Sequence, residues 1–290
     1  MKKIFLSLII ISSVLFTAVA QEDFDSNNPT SKRGETILPE SGDIALGIDL
    51  APFLQYFGNA MNGNTGNSAP SLNFLSQPTG ENTIYLKYFL NSDAALRLSV
   101  ELANENLNFK RYSRDDAAFL ADPLSNNKVV DMYTYKNMGV VLGTGYEMRR
   151  GKGRLQGFYG GGLYFSYSKS SSDFQYGNAI SDVNPVPTSN DFSGNILADG
   201  RVLNENNGQN IGGGLGLFLG VEYFVLPNIS IGGELGWGYG GYKSSQSKYT
   251  YERWNGSEVE NKLEIVSPGN SGSVIGVSNS SAGVYMMFHF

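Results

Sequence analysis

Apolar residues recur at every second position along most of this chain. Residues 42–57 set Ile44, Leu46, Ile48 and Leu50 against Ala45, Gly47, Asp49 and Ala51. Residues 82–90 set Ile84, Leu86, Tyr88 and Leu90 against Tyr85, Lys87 and Phe89. Residues 94–112 set Leu96, Leu98, Val100 and Leu102 against Arg97, Ser99 and Glu101 without exception. A period of two marks a strand with one apolar face. Related patterns over 129–148, 155–168, 211–226, 229–243 and 272–290 bring the expected strand count to eight. The connections run long, short, long, short, long, short, long. Polar stretches at 58–80, 113–127, 169–210 and 244–271 alternate with tight turns at 91–93, 149–154 and 227–228. Within the last loop, 249–254 and 263–266 are expected to carry strands seven and eight outward as a hairpin. A ten-strand count, drawing hairpin material from 169–210, is the rival topology.

The charged residues decide which face meets which medium. Asp49, Lys87, Arg97, Glu101, Glu147, Glu222 and Glu234 all fall opposite the Leu/Ile/Val face. A Lys or Arg facing lipid at the bilayer midplane costs about 2–4 kcal/mol. Putting every one of these charges on the other face therefore makes the apolar face a lipid face. The predicted fold is all-β: an eight-stranded antiparallel up-and-down transmembrane β-barrel, with short turns at one end and long loops at the other. The lumen of eight strands is just wide enough for side chains to fill, and buried charges must pair. The simplest arrangement is a plug in which Lys87 and Arg97 bridge Glu101, Glu222 and Glu234. A cation pathway lined by the acids is the alternative. Glycines at Gly212, Gly214, Gly216, Gly232, Gly236 and Gly238 relieve crowding on this inner face. Aromatics near strand ends are expected to form interfacial girdles: Phe53, Tyr56, Tyr85, Tyr146, Phe165, Tyr223, Trp237, Tyr239 and Phe288.

Composition narrows the class further. The 290 residues include 36 Gly, 17 Tyr, 17 Phe and no Cys, with net charge −6. An acidic chain without a basic stripe has nothing to neutralise phosphates along a nucleic acid, so no nucleic-acid partner is expected. Lys2 and Lys3, an apolar run over 4–16 and Ala18-Val-Ala20 read as a secretory signal peptide over 1–20. The polar stretch 21–41, with Pro29 and Pro39, is expected to be a mobile periplasmic tail, and 42–290 the barrel domain. No apolar run after the signal is long enough for a membrane helix. A secreted β-sandwich is the competing reading.

Catalysis and metal binding find little support. The single histidine, His289, lies one residue from the end of the last strand, and no cysteine is available as a nucleophile. Asp173, Asp182 and Asp191 are spaced by nine, which is not a calcium-loop spacing. No catalytic residue, no metal ligand set and no cofactor is expected.

The signal over 1–20, the hairpin rhythm, the inward Arg97/Glu101 pair and the terminal Phe290 together resemble the small OmpA/OmpX-like outer-membrane β-barrel family, of the kind common in Bacteroidota. The resemblance covers 42–290. It implies location in the bacterial outer membrane with both termini periplasmic. It also implies contact with outer-membrane lipid and lipopolysaccharide. Insertion would be by the outer-membrane assembly machinery, reading the terminal strand through Met286, Phe288 and Phe290. Some outer-membrane barrels are lipid-modifying or protease enzymes, but this chain is expected to be non-enzymatic, like the many members that have other roles. They act as structural or accessory components of the envelope or of a larger outer-membrane complex, as adhesins or ligand binders through long exterior loops, or as narrow pores.

Overall fold

A computed structural model describes residues 30–31, 34, 36–50, 83–192 and 194–290. The expected signal peptide, most of the expected tail, and Phe53 and Tyr56 lie outside these residues, as does the side chain of Asp49. Eleven strands and one short helix are described: β1 (Ile44–Asp49), β2 (Ile84–Asn91), β3 (Ala94–Arg114), α1 (Asp116–Ala121), β4 (Lys128–Lys152), β5 (Leu155–Gln175), β6 (Ile196–Leu197), β7 (Gly200–Leu226), β8 (Ile229–Ser244), β9 (Ser247–Trp254), β10 (Val259–Ser267) and β11 (Ser271–His289).

All pairings are antiparallel, and eight of the strands close on themselves in the order β7-β5-β4-β3-β2-β1-β11-β8, with β8 returning to β7. Closure leaves the ring no free sheet edge. Register follows the alternation. Leu46 stands opposite Leu86 and Phe288, and Leu86 opposite Leu98, so the apolar residues form continuous rows around one side of the wall. That side faces outward. Leu98, Leu142, Leu163, Leu217, Leu235 and Trp237 are all exposed.

The inside is packed at the end where the short turns lie. Ala45, Phe89, Ala95, Phe158, Tyr285 and Met287 form its apolar cluster, joined by Tyr85 and Phe218. Glycine makes room for the rings. A Cβ on Gly160 would meet the Tyr146 carbonyl oxygen and lie 2.6 Å from Phe218 Cζ, and one on Gly232 would lie 2.5 Å from Tyr285 Cζ. Tyr85 belongs to this interior, with its ring 5.9 Å from that of Tyr285, and not to an interfacial girdle. Its odd-numbered position on β2, shared with the inward Lys87 and Phe89, dictates this.

Three expectations about the loops are corrected. The stretch 169–210 carries strand at both ends: β5 runs on to Gln175, and β7 begins at Gly200. The hairpin over 249–254 and 263–266 forms as β9 and β10, yet β9 pairs with the upper part of β7 and does not prolong β8. The stretch 113–127 holds α1, capped by Asp115, whose side chain accepts from the Ala118 amide.

Candidate functional site

Near the short-turn end, β2, β4 and β7 each direct an ionised side chain into the ring at positions fixed by the period of two. Lys87, Glu147, Arg149 and Glu222 are each at most 2 % exposed. Lys87 Nζ donates to Glu147 Oε1 and Glu222 Oε2, both at 3.2 Å. Arg149 Nη1 donates to the same two carboxylates at 2.7 Å. Each acid therefore lies between two cations and each cation between two acids. One layer above, Arg97 Nη2 donates to Glu234 Oε2 at 2.7 Å, and its Nε lies 3.6 Å from Glu147 Oε2. Three cations thus face three carboxylates, so the cluster is neutral as a whole. Isolated buried ions would not be tolerated; paired and hydrogen-bonded ones are.

Aromatic faces complete the cluster. Lys87 Nζ lies 4.8 Å from the Phe158 ring centre, Arg97 4.1 Å from Phe218, and Arg149 5.2 Å from Phe89. Cations over such faces gain from the ring quadrupole, more so when desolvated.

The residues picked out from the pattern divide. Lys87, Arg97, Glu147, Glu222 and Glu234 come together. Glu101 does not join them; it accepts from Thr83 Oγ1 at 2.9 Å, higher in the ring. Lys87 and Arg97 both engage Glu147, which the expected bridging scheme omitted. The tight turn expected over 149–154 conceals Arg149: β4 continues to Lys152, and Arg149 shares the inward parity of Glu147. Ser230 and His289 also point inward beside the cluster, although the expected ionic plug includes neither. The signal for all three was parity: 147 with 149, 230 with 232, and 285 and 287 with 289.

Ser230, His289 and Glu222 bring together the three side-chain types of a hydrolytic triad, but not its wiring. In a triad the serine donates to the histidine and the carboxylate holds the opposite ring nitrogen. Here Ser230 Oγ donates to Glu222 Oε1 at 2.5 Å and lies 2.8 Å from His289 Nε2. The serine proton is committed to the carboxylate, so Nε2 is the donor to Oγ. His289 Nδ1 is buried with no hydrogen-bond partner. All three side chains are buried. Met286 and Phe288 lie on the outward face of β11, where Phe288 opposes Leu46 and Ile229; Phe290, one residue past the strand, exchanges backbone hydrogen bonds with Ile44 and is exposed.

At the far end, β3, β4, β5 and β7 rise beyond their shorter neighbours, and the segment 176–195 folds onto the inner face of this taller wall. Two buried aspartates hold it. Asp131 accepts from the Gly177 and Asn190 amides at 2.8 and 2.7 Å, and Asp116 from the Thr188 amide at 2.6 Å and Asn184 Nδ2 at 3.0 Å. Burial opposes ionisation of Asp116, but these bonds and those from Arg114 hold its carboxyl below the usual aspartate range. Arg201 ties the segment to β9, donating to Glu252 Oε1 and Ser189 Oγ at 2.7 Å and to the Asn178 carbonyl at 2.6 Å. Burial pushes the Tyr176 hydroxyl up to about 12. The Tyr133 ring stacks on Phe109, Phe174 and Phe192. Beside this cap lies a cleft lined by Ile180, Pro185, Val186, Ile196 and Leu197. Among the described residues, no group of three or more His, Cys, Asp or Glu is placed to hold a metal ion.

No protein-family model and no curated protein matches the chain. Solved structures similar to it include two outer membrane proteins. One is a major outer membrane protein from Thermus thermophilus, at TM-score 0.32 and 12 % identity, over 86 % of this chain and 98 % of that one. The other is the outer membrane protein OprG from Pseudomonas aeruginosa, at TM-score 0.28 and 11 % identity, over 87 % of this chain and 97 % of that one.

Proposed function

We propose that this chain is a non-enzymatic integral β-barrel of the bacterial outer membrane, with its short turns and both termini on the periplasmic side. In this reading its lumen is sealed by the Lys87–Glu147–Arg149–Glu222 cluster, and it acts as a structural or accessory component of the envelope. The observation that carries the reading is the division of the ring: an exposed apolar outer face, and a neutral ionic cluster enclosed on the inner one. Only a closed ring satisfies every strand's backbone within a bilayer, and only lipid favours such an outer face. Insertion by the assembly machinery through Met286, Phe288 and Phe290 belongs to the same proposal.

The test is extraction and recording. Full-length protein should require detergent for extraction from membranes and should migrate differently on electrophoresis before and after boiling. It should add no conductance to a planar bilayer. A monomer soluble without detergent would overturn the barrel, and steady cation current would overturn the seal.

A second reading has its own support. The cap over 176–195 is fastened by buried aspartates and by Arg201, far more anchoring than a mere connection between strands requires. Loops held in one shape on a rigid scaffold are where recognition usually resides. Exterior ligand binding through this cap, as in an adhesin, is therefore the alternative role.

A further inference from the structure

Above the apolar belt, the outward wall changes character in ordered rows. Directly opposed strand partners share a face, so the register identifies these rows. One row runs Asn106, Lys136, Ser171, Asn206, Lys248 across β3, β4, β5, β7 and β9. The row below holds Met138, Lys169 and Gln209, and the next Ile211 and Lys243. The row above holds Asn108, Thr134, Asp173, Asn204 and Thr250. Lys136, Lys243 and Lys248 are exposed and Lys169 is half-exposed. Lys136 to Lys248 spans three strand spacings, roughly 14 Å at about 4.8 Å each. In these rows the four lysines face a single carboxylate, Asp173, although the chain as a whole carries net charge −6.

We propose that this outward band on β4, β5, β7, β8 and β9 is a docking surface for the phosphorylated glycolipid of the outer leaflet. The inference rests on the outer-membrane reading and deepens it by naming the lipid. Three tiers of the wall match three parts of such a molecule. Acyl chains lie against Leu142, Leu163, Phe165, Leu215 and Trp237. Phosphates meet Lys136, Lys169, Lys243 and Lys248 immediately above. Sugar hydroxyls meet the amide and hydroxyl side chains of the same rows and the next. Lys136 already shows the geometry of anion recognition, donating to Asp173 Oδ2 at 2.8 Å. Asp173 also accepts from Asn204. Despite partial burial, the bonds from Lys136 and Asn204 hold its carboxyl below the usual range, so it stays charged and keeps Lys136 oriented. Charge complementarity and continuity with the apolar belt both select a lipid whose headgroup is anionic and rich in hydroxyls.

The experiment uses full-length protein reconstituted into phosphatidylcholine vesicles. These are doped in turn with bis-phosphorylated lipid A, its dephosphorylated form, or phosphatidylglycerol, and co-purifying lipid is counted by native mass spectrometry. Phosphorylated lipid A should be retained about ten-fold more than either of the others, with a preference that falls as salt rises. The quadruple variant Lys136→Gln/Lys169→Gln/Lys243→Gln/Lys248→Gln should lose that preference while folding normally in phosphatidylcholine. Arg150→Gln, an outward cation at the opposite end, should keep it. Equal retention of the two lipid A forms, or of phosphatidylglycerol, would overturn the proposal. Failure of the unaltered chain to insert into any vesicle would instead overturn the outer-membrane reading beneath it.

Discussion

Replacing Arg149 by methionine isolates the contribution of the ionic cluster. Methionine roughly keeps the volume between Phe89 and Phe224 while deleting one of three cations. Glu147 and Glu222, both fully buried, then share Lys87, with only the longer 3.6 Å contact from Arg97 Nε to Glu147 beside it, and the enclosed charge becomes −1. Breaking a buried ion pair from one side costs about 3–5 kcal/mol, because a partner stays buried without compensation. At 1.4 kcal/mol per factor of ten, the unfolding constant should rise by roughly two to more than three orders of magnitude. The assay is urea unfolding in detergent micelles or vesicles, followed by fluorescence of Trp237 and Trp254. Arg150→Met is the internal control. Its side chain is one residue along, on the outer face and exposed, so its cost should stay within about 0.5 kcal/mol. The double variant Arg149→Met/Glu222→Gln restores neutrality and should recover at least about 1 kcal/mol of the loss, a coupling of the size expected within one network. Equal costs for Arg149→Met and Arg150→Met, or no recovery in the double variant, would refute the view that charge balance holds the ring's interior together.

Other consequences are as direct. Leu98→Arg puts a cation on the outward belt and should cost about 2–4 kcal/mol, whereas Ser99→Arg points inward and should cost clearly less; equal loss of assembled protein would refute the register. Gly160→Ala drives a methyl into the Tyr146 carbonyl and Phe218 and should abolish assembly. Gly238→Ala meets only the Leu215 carbonyl oxygen at 3.4 Å, and should be tolerated, as read by heat-modifiable migration. Asp116, whose folded-state ionisation lies below the ordinary range near 3.8, stabilises the cap fully above that value. The stabilisation is lost as pH falls through the folded value, so hydrogen exchange over 176–190 should quicken only below about pH 4. Asp116→Asn should remove that acid step; an unchanged profile would show that the carboxylate does not fasten the cap.

The sequence is most legible where a strand has one wet and one greasy surface. Leu96 to Leu102 alternate without exception, and β3 lies where they put it. The inward positions of Lys87, Arg97 and Glu147 follow from the same count. Legibility fails for two physical reasons. Residues 204–210 stand above the apolar belt, polar on both faces, so Asn204, Glu205, Asn206 and Asn207 carry no alternation and read as loop. Arg149 was hidden by composition: the cluster Arg149-Arg150-Gly151-Lys152 looks like a solvated turn, though parity with Glu147 put one of its cations inside. The helix α1 did carry a signal, an Asp115 cap before Ala, Phe and Leu, but one six-residue turn is easily lost within a polar stretch.

Unequal strand length links the two ends of the molecule. β1 has 6 residues and β7 has 27, roughly 20 Å against 90 Å of extended chain. Where every strand is present, closure satisfies the backbone and the inner charges are enclosed, so the cluster sits at the end all eight strands share. Higher up, β3, β4, β5 and β7 lose their short neighbours and form an open wall. Among the described residues, no opposing strand covers the inner face of this wall. Tyr133, Phe174 and Asp131 on that face would stand in water if 176–195 did not fold back over them. The buried aspartates and Arg201 follow from that requirement: a cover made of loop has few apolar side chains to hold it down, so it is held by hydrogen bonds to its own backbone amides. Ionic pairing therefore closes the ring from within, while anchored backbone closes the wall above it, and each device appears where the number of paired strands leaves no cheaper one.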